Sequence, residues 1–163
     1  MRMIKLTAFV LLAIVAGCSK IRGTSNTESV TTTVGLTKAQ ALDVARTQLV
    51  HHGFTVTGAG SDVLVTSPKL VAPYLREVST AKQPAPQRWF LVVQGSDARF
   101  FRGTRLRVSG YVLPPGAGQV SAVSNGTRLE QSAIPITAQN ARLFREVQVA
   151  TDWIVSEANR KKK

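Results

Sequence analysis

Between residues 36 and 163 the apolar positions change period twice, from helical to alternating and back. After Leu36-Thr37-Lys38-Ala39-Gln40, where Thr37 and Gln40 have capping-box spacing, Ala41, Leu42, Ala45, Leu49 and Val50 recur on one side of a 3.6-residue period. Gly53 then supplies a left-handed stop with Phe54 as its apolar partner, so a helix is predicted over about 38–52. Phe54 and Val56 alternate with Thr55 and Thr57, Gly58 to Ser61 break the run, and Val63-Leu64-Val65 resumes it: strand, turn, strand. The stretch 68–87 carries Pro68, Pro73, Pro84 and Pro86 and reads as a long connection, with enough apolar surface from Leu70 to Leu75 for a packed turn.

Two stronger β segments follow, Arg88 to Gln94 and Thr104 to Leu113. In the second, Leu106, Val108 and Val112 fall on one face, and Arg105, Arg107, Ser109 and Tyr111 on the other, as in a strand with one buried and one wet side. Weaker β patterns at about 119–124 and 127–133 are joined by the hairpin signal Asn125-Gly126. Thr137 is placed to cap a last helix, whose Leu143, Phe144, Val147, Ala150 and Ile154 form an apolar stripe beside Trp153 and which runs to about Ala158. The sum is a single α+β domain over 36–163, an antiparallel sheet of about five or six strands with an N-terminal and a C-terminal helix packed on one face. That order is similar to the helix-grip domains of some outer-membrane lipoproteins, a likeness of fold class that transfers no function.

Upstream of the domain the pattern is different. Arg2 and Lys5 precede an apolar run from Leu6 to Ala16, broken only by Thr7. About a dozen residues at ~1.5 Å each reach roughly 18 Å, short of the ~30 Å needed to span a bilayer, so the segment reads as an export signal. Val15-Ala16-Gly17-Cys18 resembles the lipobox of bacterial lipoprotein precursors, and Cys18 is the single cysteine of the chain. The resemblance implies that residues 1–17 are a signal peptide, that Cys18 becomes the lipidated N-terminus, and that the membrane is engaged through this anchor. Two or three acyl chains hold where one is marginal, at ~0.8 kcal/mol per buried CH₂. In Gram-negative members of the family a serine after the cysteine, here Ser19, goes with sorting to the outer membrane, facing the periplasm. Residues 18–35, rich in Ser, Thr, Asn and Gly, are expected to be the lipidated cysteine and a flexible tether.

The full chain carries 21 Lys and Arg against 9 Asp and Glu, a formal charge of +12, and loss of residues 1–17 removes only Arg2 and Lys5. The basic character therefore belongs to the folded part. In the envelope the abundant anions are lipid phosphates and acidic glycans, which rank above nucleic acid as partners. Arg99, Arg102, Arg105 and Arg107, interleaved with Phe100, Phe101 and Tyr111, form the densest cationic set. Guanidinium groups pair with phosphate in two-pronged fashion, which makes Arg99, Arg102, Arg105, Arg107 and Tyr111 the candidate anion- or partner-binding residues, although arginines on a wet strand face also serve solubility, and Glu130 is a possible ion partner. The Arg160-Lys161-Lys162-Lys163 run suits the negative end of the last helix.

Other chemistry finds little support. His51 and His52 are adjacent, so on a helix they point about 100° apart and do not form the i, i+4 pair that a metal uses. Gly58-Ala59-Gly60 and Gly116-Ala117-Gly118 precede no capped helix and read as turns, not phosphate loops. No close carboxylate pair is visible, and no metal or cofactor is expected; an enzyme would need Asp62, Asp97 or Glu130 to meet a histidine. The expectation is a non-enzymatic, lipid-anchored envelope protein whose basic domain binds an envelope protein or an anionic glycan or lipid. Apolar residues on both faces of Trp89 to Val93 raise the alternative of a small lipid carrier.

Overall fold

A computed structural model describes residues 29–72, 87–98, 102–113 and 133–162. Among them the order is β1 (Ser29–Val34), α1 (Lys38–His51), β2 (Val56–Ala59), β3 (Val63–Thr66), β4 (Lys69–Leu70), β5 (Arg88–Asp97), β6 (Thr104–Leu113), β7 (Ile134–Pro135), a 3-10 turn (Ala138–Asn140) and α2 (Ala141–Lys161). The fold is α+β, with a seven-stranded antiparallel sheet and both helices against one of its faces. Across the sheet the strands run β1-β6-β5-β3-β2, with β4 beside β5 and β7 beside β6.

The first helix starts and stops where its local chemistry dictates. Thr37 Oγ1 accepts from the Gln40 amide at 3.4 Å, and Gln40 Oε1 accepts from the Thr37 amide at 3.1 Å, closing the capping box. At the other end Gly53, at φ +79°, turns the chain out of the helix. Its amide reaches the Val50 carbonyl and the Phe54 amide reaches that of Leu49, the paired bonds of a Schellman cap, with Leu49 and Phe54 both in the core. The buried stripe is Ala41, Leu42, Val44, Ala45 and Leu49; Val50, which the period placed among them, is 55 % exposed.

Three expectations are corrected. The tether does not extend to residue 35: Ser29–Val34 is an edge strand, paired antiparallel with β6 from Ser29↔Ser109 to Val34↔Thr104. Val30, Thr32 and Val34 face the helices and Ser29, Thr31 and Thr33 face away; Val34 is almost fully buried. The domain therefore starts upstream of 36 and α1 is its second element, crossing from one sheet edge to the other. Thr137 makes no side-chain cap; a 3-10 turn intervenes, and α2 begins at Ala141 and continues to Lys161. Finally, the sheet does not have one buried and one wet face. Trp89, Leu91, Val93, Leu106, Val108 and Val112 join the main core under the helices, while Val63, Val65, Phe90, Val92 and Leu113 form a second apolar cluster. By the β5–β6 register this second set lies on the opposite face. The β patterns expected at 119–124 and 127–133, with their Asn125-Gly126 turn, lie outside the described residues, as does most of the 68–87 connection, of which β4 and buried Val71 are seen.

Close approach between α2 and the sheet depends on Gly110 in β6. A Cβ at that position would stand 2.6 Å from Val147 Cγ2 and 2.8 Å from Ile136 Cδ1, so the absent side chain is what lets the helix seat on the strand. Buried hydroxyls in this layer are satisfied: Thr151 Oγ1 donates to the Val147 carbonyl at 2.8 Å, and Thr66 Oγ1 accepts from the Leu91 amide at 2.9 Å.

Candidate functional site

The face of the sheet opposite α1 and α2 is divided along its strands. Proceeding along β6, its outward residues are Arg105, Arg107, Ser109, Tyr111 and Leu113; along β5, in the matching direction, they are Ser96, Gln94, Val92, Phe90 and Arg88. One half is thus polar and cationic and the other apolar. Tyr111 belongs to the apolar half, where its ring stacks on Phe90 with centroids 5.4 Å apart and 19° between planes.

The polar half forms a cleft of about 470 Å³ lined by Ser29, Thr31, Asp62, Gln94, Gly95, Ser96, Arg105 and Arg107. Four chain segments contribute to it. Ser29 and Thr31 come from β1, the two arginines from β6, Gln94 to Ser96 from β5, and Asp62 from the turn between β2 and β3. The pairing Val63↔Gln94 and a 2.8 Å bond from the Gly95 amide to the Asp62 carbonyl hold that turn against β5. Arg105 and Arg107, two residues apart on one strand, project to the same side and are both exposed. Arg107 Nε donates to Ser29 Oγ at 2.8 Å, which orients its guanidinium over β1. Neither arginine forms an ion pair with a described carboxylate. Such a site offers two forks of donors to an anion, flanked by hydroxyl, amide and carboxylate groups.

The other predicted site residues separate from this pair. Arg102, in the turn before β6, lines a second cleft of about 320 Å³ with Gly35, Leu36, Thr37, Lys38, Asp97, Gly103 and Thr104, beside the start of α1. The aliphatic stem of Lys162, from the end of α2, lies over Gly35 there. Arg99, Cys18 and Glu130 lie outside the described residues. Asp62 in the cationic cleft was not expected from the sequence as a binding group, because it reaches the site only through the β3–β5 pairing.

Among the described residues no three His, Cys, Asp or Glu side chains come together; Asp62 and Asp97 line clefts with no described histidine, while His52, just past the end of α1, stacks on Trp153 of α2 with ring centroids 3.6 Å apart. Arg160 is engaged by Glu157 through two bonds of 2.7 Å, which lower the Glu157 pKa and raise that of Arg160. Lys69 packs against two aromatic rings. Its Nζ sits 3.5 Å from the Phe54 ring centroid and 5.2 Å from that of Trp89, and burial lowers its pKa from 10.5 against the opposing attraction of Glu146. Among the described residues no helix is long and apolar enough to cross a membrane. Comparison with known proteins returns no matching family model and no matching curated protein.

Proposed function

We propose that this chain is a lipid-anchored bacterial envelope protein, without catalysis of its own, whose sheet face opposite α1 and α2 binds an anionic envelope partner. The anchor rests on the lipobox-like Val15-Ala16-Gly17-Cys18, and the outer membrane, on the periplasmic side, is the membrane its Ser19 favours. The observation that carries the binding reading is the arginine pair: Arg105 and Arg107 stand side by side in a cleft, exposed, with no described carboxylate neutralising them. Two guanidiniums on one rigid strand, neither paired with a described carboxylate, are preorganised for phosphate or carboxylate, because the sheet has already fixed their spacing. In an envelope, that chemistry belongs to lipid headgroups and acidic glycans.

Co-sedimentation with purified envelope tests this directly, using the polypeptide from Ser19 to Lys163, which keeps every described residue but has no anchor. Binding is expected at low ionic strength, with release as salt shortens the Debye length from about 30 Å to below 10 Å. The Arg105→Gln/Arg107→Gln variant is expected to remain in the supernatant. Sedimentation unchanged by salt and by this double substitution would overturn the reading.

A further inference from the structure

The cationic cleft is not uniformly cationic, and its asymmetry narrows the ligand. Across the sheet it runs from the Ser29 and Thr31 hydroxyls on β1, over Arg107 and Arg105 on β6, to Gln94 and Ser96 on β5, and ends at Asp62. At about 4.8 Å between strands, three spacings make this row roughly 14 Å long, with the arginines one spacing from the β1 end and Asp62 at the other end. A simple polyanion would be attracted by the pair and repelled by Asp62. Among the described residues the lining holds no large apolar side chain that could receive an anchor residue from a protein partner. What the row matches is a ligand with one acidic group and, a few ångströms away, several hydroxyls or an amine: Asp62 can only accept when ionised, Gln94 can both donate and accept, and Ser96 can do either.

Resting on the anion-binding reading above, we propose that the cleft recognises an acidic sugar, its phosphate or carboxylate held by Arg105 and Arg107 and its hydroxyl or amino groups read by Asp62, Gln94 and Ser96. Asp62 is then a specificity determinant, rewarding a donor-bearing ring next to the anion and disfavouring a bare polyanion. Its half-buried position, fixed from the backbone by the Gly95 amide, suits that role.

The test compares three probes on the Ser19 to Lys163 polypeptide by amide chemical-shift titration: inorganic phosphate, glucosamine, and glucosamine 1-phosphate. Phosphate is expected to bind weakly and shift β6 amides near Arg105 and Arg107, and glucosamine 1-phosphate to bind about tenfold tighter, the gain of a further charge-assisted hydrogen bond. Asp62→Asn should erase most of that tenfold while leaving phosphate affinity unchanged or improved; Ser96→Ala, a smaller change, should reduce the sugar phosphate alone. Arg105→Gln/Arg107→Gln should abolish both. If phosphate and glucosamine 1-phosphate bind equally, or Asp62→Asn and Ser96→Ala both leave their ratio unchanged, the sugar specificity is wrong while anion binding stands. If neither anion binds, or glucosamine alone binds as well as its phosphate, both fall.

Discussion

Deleting eight residues, 28–35, distinguishes the strand at Ser29–Val34 from the tether that composition suggests. Polypeptides starting at Ser19, Glu28 and Leu36 share α1, α2 and β2 to β7, and the last of them lacks β1. If 29–35 were a tether, all three would be equally stable. The structure requires otherwise, because β1 covers the edge of β6 and buries Val34 completely and Val30 in part. Full burial of a valine contributes about 1.5–3 kcal/mol and half-burial about 1, while the freshly bared edges of Leu106 and Val108 lose a further ~1. The ladder bonds, at about 0.5–1.5 kcal/mol net each, are largely offset by the ~1–2 kcal/mol per residue spent on ordering the strand. The net loss is then about 3–5 kcal/mol, a large part of the roughly 5–15 kcal/mol a domain has. With an m-value near 2 kcal/mol/M, the urea midpoint of the chain from Leu36 should fall by about 2 M, and that of the chain from Glu28 should match the chain from Ser19. Equal midpoints for all three would refute the assignment of β1 to the domain.

Two further substitutions test packing and charge. Gly110→Ala should cost about 1–3 kcal/mol in urea unfolding, since its Cβ must displace Val147 or Ile136 from less than normal contact distance; a change below ~0.5 kcal/mol would mean that α2 is not seated on β6 as described. For Lys69, folding lowers the pKa, so the unfolded chain holds this proton more tightly and the protonated ammonium costs the native state stability at neutral pH. That cost is relieved as pH rises through the folded value towards 10.5. The stability of the wild type relative to Lys69→Met should therefore increase from neutral pH up to 10.5, and a flat or falling difference would contradict the burial of this amine between Phe54 and Trp89.

What the sequence made legible was local. The first helix is bounded by side chains within a few residues of one another, Thr37 with Gln40 and Gly53 with Leu49 and Val50, so its chemistry is complete in a short window. The long strands β5 and β6 are legible for the same reason. By contrast β1 is mostly Ser and Thr, and its identity as a strand depends on Ser109 to Thr104, about seventy to eighty residues away. Alternation assigned Tyr111 to the same face as Arg105 and Arg107, correctly, but alternation along a strand says nothing about a face that changes from polar to apolar along its length. Arg102 shares the sequence neighbourhood of the pair and not its site, because period-two reasoning ends where β6 begins and Arg102 lies in the turn. Asp62 shows the converse, a residue about forty positions from the arginines that joins them only through strand pairing.

The compartment decides which anions the cleft can meet, so the central measurement is the intact mass and membrane partition of the full chain expressed in a Gram-negative host, wild type beside Cys18→Ala. The wild type is expected to lose residues 1–17, gain the mass of acyl chains at Cys18 and fractionate with the outer membrane, and Cys18→Ala to do neither of the last two. A wild type carrying no acyl mass and partitioning like Cys18→Ala would contradict the lipid anchor.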